Sequence, residues 1–149
     1  MPDKDEINKP DKDEVSRFAR MIGATRMVLQ TTSNERRLFS RRNYFEIPTA
    51  RLIIKISRLE RPFWGVGVQQ IEVLEKRGVY FLILLTSVKQ GWFLSHAEIQ
   101  ELRSGPKTAC WSRGTDENEY QYKINPPLPN SNWFNSPEEF LEMIGRLLR

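Results

Sequence analysis

Val79-Tyr80-Phe81-Leu82-Ile83-Leu84-Leu85 (VYFLILL) is apolar at every position. A strand with one face in water alternates apolar and polar side chains. A run apolar on both faces instead predicts a strand covered on both sides, the mark of a central strand in an α/β sheet. Gly78 precedes it and closes a helix-like pattern over Val66–Arg77, in which Val66, Gln69, Gln70, Val73 and Leu74 share one face. Upstream, Arg51–Arg58 (RLIIKISR) reads as another strand, broken by Pro62 and Gly65.

Further toward the N-terminus, Leu38–Ile47 reads as a strand ending at Pro48, and Thr25–Thr32 as one more, with Ser33-Asn34 as the turn between them. Asp11 with Glu14 three residues on forms a capping box, Val15, Phe18, Ala19 and Ile22 follow at helical spacing, and Gly23 stops the helix. Toward the C-terminus, Gly91–Leu94 is a short strand running into Ser95-His96-Ala97-Glu98, a second capping box, and Gly105 ends that helix. Gly105–Asn118 reads as a loop, Glu119–Ile124 as a strand, and Pro126–Asn135 as irregular. Ser136-Pro137-Glu138-Glu139 starts a last helix, with Phe140, Met143, Ile144, Leu147 and Leu148 as its buried stripe.

The expected fold class is α/β (α+β): a single mixed sheet with an αβββαβ core, flanking helices, and a C-terminal strand and helix. The pentapeptide Pro-Asp-Lys-Asp-Glu occurs at 2–6 and again at 10–14. Charged and almost without apolar residues, this tract cannot offset its ordering entropy by burial. Residues 1–13 are therefore expected to be a disordered charged tail and 14–149 a single domain.

Charge is concentrated. Between Arg17 and Arg61 lie 11 basic residues, ten of them arginine, opposed only by Glu35, Glu46 and Glu60, so the segment carries +8 while the whole chain carries +4. Arginine binds phosphate through a planar fork and stacks on bases, which makes nucleic acid the expected partner, DNA ahead of RNA. The expected contacts are Arg36, Arg37, Arg41, Arg42, Arg58 and Arg61, with Trp64 or Phe63 as the stacking surface. An acidic protein partner for the same face is the alternative, and homo-oligomerisation is compatible with either.

Composition also excludes chemistry. One Cys and one His allow neither an internal disulfide nor a conventional zinc site within one chain. Ser95 and His96 are adjacent, so they diverge by about 100° on a helix and make a poor nucleophile–base pair. The longest apolar run, seven residues, is far short of the roughly 20 needed to cross a bilayer as a helix. The acidic N-terminus does not read as a signal peptide. No membrane partner and a cytoplasmic location are expected. Gly65-Val66-Gly67, read as opening a helix, offers backbone amides to a phosphate but lacks the third glycine of a dinucleotide fingerprint.

The order helix, three strands, then a helix crossing to a buried strand, over Asp11–Leu94, resembles the core of the PD-(D/E)XK (restriction-endonuclease-like) superfamily. That resemblance implies an acid on the second strand, an acid-x-lysine triplet on the third, and a divalent metal held by the acids. Lys55 matches the lysine and Glu46 the second-strand acid, while Gln69 and Gln70 stand on the following helix, where some of these nucleases place a glutamine. The resemblance thus makes Glu46, Lys55 and Gln69 the candidate catalytic residues, with Glu46 as a ligand of Mg in an active endonuclease. Ile53 stands where the triplet's acid should be, and a hard cation gains no ligand from it; Glu60 or Glu72 would have to replace it. The implied function is a nucleic-acid-binding protein on a nuclease-like fold without efficient catalysis and with no cofactor. Each residue also has a plainer role: Lys55 snorkelling at a sheet edge, Glu46 pairing with Arg42 or Arg51, Gln69 and Gln70 as ordinary helix residues.

Overall fold

A computed structural model describes residues 10–25, 43–113 and 120–148, with side chains from residue 14 onward. Helix α1 (Pro10–Met21) leads to strands β1 (Tyr44–Ile47) and β2 (Ala50–Ile56), which pair antiparallel as a tight hairpin. Next come β3 (Trp64–Gly67), α2 (Val68–Glu75), β4 (Tyr80–Leu85), β5 (Gly91–Ser95) and α3 (His96–Ser104). The chain closes with β6 (Trp111–Arg113), β7 (Gln121–Ile124), a 3-10 turn (Asn130–Asn132), β8 (Trp133–Phe134) and α4 (Pro137–Leu147).

The α/β expectation holds, with one addition. The main sheet is mixed and five-stranded, in the order β1-β2-β4-β5-β8, and β2 and β4 are its parallel pair. Parallel neighbours need a crossover, and β3 with α2 supplies it. A second, three-stranded sheet, β3-β7-β6, stands apart from the main one, where the sequence predicts a single sheet. Trp64-Gly65-Val66-Gly67 buries alternate residues, a period of two that belongs to a strand. The helix therefore starts at Val68 and not at Val66.

Two further boundaries move. The helix expected after Asp11 starts at Pro10, so residues 10–13, assigned to the tail, form the first turn of α1. Proline is pre-set for that position and acids are favoured in a first turn, which accounts for the extension. Trp111–Arg113 is a strand within the segment expected to be loop, because Trp111 pairs with Ile124 and is buried against it. Of the expected strand Thr25–Thr32, Thr25 pairs with Glu46 through two backbone hydrogen bonds of 2.8 and 2.9 Å, and the remainder lies outside the described residues. Residues 38–42 of the next expected strand also lie outside them.

VYFLILL behaves as its composition dictates. All six residues of β4 are at most 1% exposed. Tyr80, Leu82 and Leu84 face one cluster with Tyr44, Ile53, Leu94, α2, α3 and the small sheet. Phe81, Ile83 and Leu85 face the other with Leu52, Ile54, Phe93, α1 and α4. Each such side chain contributes about 1.5–3 kcal/mol of transfer free energy. The two faces bury the central strand completely.

Local chemistry ends the elements as expected at two helices. Ser95 Oγ accepts from Glu98 N–H at 3.2 Å while Glu98 Oε1 accepts from Ser95 N–H at 3.0 Å, completing the capping box of α3. Ser136 Oγ accepts from Glu139 N–H at 3.1 Å, with Pro137 next to it, starting α4. The α4 stripe is narrower than expected: Phe140 and Ile144 are buried, whereas Leu147 is exposed. Among the described residues no helix is long and apolar enough to cross a membrane.

Candidate nucleic-acid interface

The end of β2 feeds a seven-residue loop, Ser57–Phe63, that carries Arg58, Leu59, Glu60 and Arg61 to the surface. The loop is fixed at both ends. Ser57 N–H donates to Leu85 O at 2.9 Å, Phe63 N–H donates to Ser57 Oγ at 3.3 Å, and Trp64 Nε1–H donates to Leu85 O at 3.1 Å. Beside the loop runs β7, whose Lys123 is the register partner of Gly65. Between them lies a cavity of about 480 Å³, walled by Glu60, Arg61, Pro62 and Phe63 on one side and Lys123, Asn125 and Pro126 on the other. Phe63 is 46% exposed, and Lys123 Nζ lies 5.2 Å from its ring centroid. An aromatic surface and two cations thus meet in one concavity, with the Glu60 carboxylate also in its wall.

The structure sorts the other expected contacts. Arg36, Arg37, Arg41 and Arg42 lie outside the described residues. Arg58 is half-exposed but already engaged: its Nε–H donates to Glu14 Oε1 at 3.1 Å and its Nη2 contacts the same oxygen, from a carboxylate buried in α1. Trp64 does not form a stacking surface, because it is 2% exposed and its ring packs edge-on to Trp92 at 6.0 Å. Gly65-Val66-Gly67 is strand up to Gly67, the N-cap of α2, and the first helical amide, that of Val68, is taken by Tyr120 O at 2.9 Å.

The candidate catalytic residues are not brought together. Register partners across the hairpin are Glu46 with Arg51 and Tyr44 with Ile53, so Tyr44 and Ile53 stand between Glu46 and Lys55 on the same sheet face. Lys55 lies four positions along the strand from Arg51, roughly 13 Å at about 3.3 Å per residue. Glu46 accepts from Tyr44 Oη–H at 2.6 Å and lies 3.9 Å from Arg51 Nε, the pairing its plainer role requires. Burial first, then the hydrogen bond to Glu46 and its charge, pushes the Tyr44 hydroxyl well above the ordinary tyrosine range. Lys55 is half-buried one residue before the end of β2, opposite Leu84. Gln69 is exposed on α2 while Gln70 is buried, and Glu60 and Glu72 are exposed. Among the described residues, no three His, Cys, Asp or Glu side chains gather in a metal-binding group.

A second polar cluster is closed on itself. Glu75 accepts from Tyr80 Oη–H at 2.5 Å and Gln100 Nε2–H at 2.7 Å, and Arg103 Nη1 lies 3.5 Å from its Oε1. Arg103 Nε–H also donates to Tyr122 Oη at 3.0 Å. Burial works to raise the Glu75 carboxyl, but the Tyr80 and Gln100 hydrogen bonds and the Arg103 charge outweigh it and hold the group below its ordinary value. Burial and the bond to Glu75 push the Tyr80 hydroxyl far up.

Sequence reasoning missed Lys123 and Asn125, which reach the cavity from 60 residues downstream of the loop. Their only local signal is the alternation Gln121-Tyr122-Lys123-Ile124, exposed at Gln121 and Lys123 and buried at Tyr122 and Ile124. No family model matches the chain, and no curated protein or solved structure matches it either.

Proposed function

We propose that the protein binds nucleic acid, DNA in the first instance, through its arginine-rich segment 17–61, whose last residues lie in the Ser57–Phe63 loop, and that it does so without efficient cleavage. The carrying observation is the charge of residues 17–61, 11 basic against three acidic. Clustered arginine binds phosphate whatever the base sequence, because each contact releases condensed counterions. Arg61 and Lys123 bring two of the chain's cations to the cavity, beside the exposed ring of Phe63.

Support for a nuclease-like ancestry of the domain is topological. After α1, Thr25 pairs with β1, β1 with β2, and the α2 crossover delivers β4 parallel to β2. The reading without catalysis rests on Ile53 in place of an acid and on the separation of Glu46 from Lys55.

Fluorescence anisotropy of a labelled oligonucleotide across a salt series tests the binding. Engagement of about five phosphates gives a slope of log affinity on log salt of roughly −4 to −5 on duplex and roughly −3 to −4 on a single strand. A flat salt response, or no binding at low salt, would refute it. Incubation of the same oligonucleotide with Mg tests the second half, with intact substrate the expected result.

A further inference from the structure

We propose that the cavity between the Ser57–Phe63 loop and β7 is a subsite for one unpaired nucleobase, so that the protein takes single strands in preference to intact duplex. This rests on the nucleic-acid reading and specifies its ligand. Inside a duplex a base is stacked on both faces and its pairing edge is occupied, so only an unpaired or extruded base enters a concave site. The volume of about 480 Å³ lies within the range of roughly 300–1,000 Å³ typical of small-ligand sites.

The wall chemistry matches base and phosphate together. Phe63 supplies an aromatic surface, and stacking on such a surface tolerates any base. Lys123, held near that ring, and Arg61 supply the cations for the flanking phosphate. Asn125 adds a polar residue to the opposite wall. Glu60 stands in the same wall as Arg61 and offsets part of its charge, which leaves Lys123 on the opposite wall as the cation without an adjacent acid in the lining. The platform is also held in advance. Ser57 and Trp64 both donate to Leu85 O and Phe63 N–H is tied to Ser57 Oγ, so little ordering entropy is lost when a base stacks.

The test compares a fluorescein-labelled mixed-sequence single strand with the corresponding blunt duplex by anisotropy, for the unmutated chain and for Phe63→Ala and Phe63→Tyr. The expected result is single-strand binding at least about 10-fold tighter than duplex. Phe63→Ala loses about 5- to 150-fold on the single strand, while Phe63→Tyr, which keeps the ring, stays within about 2-fold. Salt-dependent binding in which duplex equals or exceeds the single strand overturns the subsite and leaves the nucleic-acid reading standing. Single-strand binding indifferent to Phe63→Ala does the same. Failure to bind either probe at low salt overturns both. The strand comparison needs only the unmutated chain, so it is decisive whatever the stability of a variant.

Discussion

Glu46 and Arg51 face each other across the β1–β2 ladder, with 3.9 Å between Glu46 Oε1 and Arg51 Nε. Arg51 Nη1–H also donates to Arg77 O at 2.5 Å, so the pair ties the hairpin to the turn that precedes the central strand. Glu46 Oε1 thus accepts from the Tyr44 hydroxyl and lies beside the Arg51 guanidinium, a structural pairing within the hairpin. It is also separated from Lys55 by Tyr44 and Ile53. A phosphodiester mechanism needs its acid and its lysine on one phosphate, and this register keeps them apart.

That separation makes Lys55→Met a decisive variant. An active nuclease would lose cleavage entirely, since the amine stabilises charge developing on the transferred phosphate, a term worth a few kcal/mol. The expected outcome is different. Neither the unmutated protein nor Lys55→Met cleaves in Mg, and the substitution costs about one phosphate contact, a change of about one in the salt slope. Robust cleavage abolished by both Lys55→Met and Glu46→Ala would overturn the reading.

Arg58 is expected to act on stability more than on binding. Its partner Glu14 is a buried carboxylate of α1, and Arg58→Ala would leave that charge without its counterion. Loss of a fully buried partner costs about 3–5 kcal/mol. Because Arg58 is half-exposed and water can screen the vacancy, about 1–2 kcal/mol is the expected figure. For a chain of this size that lowers the melting temperature by about 2–8 °C. Thermal denaturation checks it, with Arg58→Lys recovering part of the loss. Unchanged stability together with a large fall in affinity would return Arg58 to the phosphate contacts.

The legible parts of this fold are those in which local chemistry and tertiary packing agree. VYFLILL, short, bounded by Gly78 and apolar on both faces, reads as a covered strand and is one, and the Ser95 and Ser136 caps are complete within four residues of sequence. What is not legible depends on partners distant in the chain. Val66 fits a helical stripe as well as a strand, and pairing with Tyr122 on β7 decides for the strand. Glu14 reads as a capping residue until Arg58, 44 positions on, claims it. The cavity is hidden for the same reason, since Phe63 and Lys123 meet only through that small sheet. Charge patterning points to a class of partner, but no pattern in one strand reveals which residue of another stands opposite Lys55.

Glu75 predicts an acid-sensitive fold. Its carboxyl is held below its ordinary value in the folded state. Its contribution is therefore present above the unfolded-state pKa and is lost as pH falls through the folded one. Glu75→Gln should destabilise the protein at pH 7 by about 1–2 kcal/mol, because the charged acceptor of the Tyr80 and Gln100 bonds is gone. The gap from the unmutated protein should narrow on acidification below the ordinary glutamate range. Urea midpoints measured across pH check both parts. A gap that stays constant down to strongly acidic pH would mean that the carboxylate is not the stabilising form.

Trp64 and Phe63 are neighbours in sequence with opposite duties, and substituting each in turn separates them. Trp64 is 2% exposed, donates to Leu85 O and packs on Trp92. Trp64→Ala removes a large buried ring and should cost about 3–5 kcal/mol. Trp64→Phe keeps most of the volume but removes the indole N–H, and a net hydrogen bond of this kind is worth about 0.5–1.5 kcal/mol. Leu85 O keeps its bond from Ser57 N–H, so the acceptor is not orphaned and the lower half of that range is expected. At a temperature where Trp64→Phe is fully folded, its affinity for a single strand should equal that of the unmutated chain within about 2-fold, as a buried ring offers no face to a base. Phe63→Ala should reverse the pattern, leaving the melting temperature nearly unchanged and reducing affinity, because that ring is half in water. A loss of binding in folded Trp64→Phe with none in Phe63→Ala would place the stacking surface on the tryptophan and require β3 to open for the ligand.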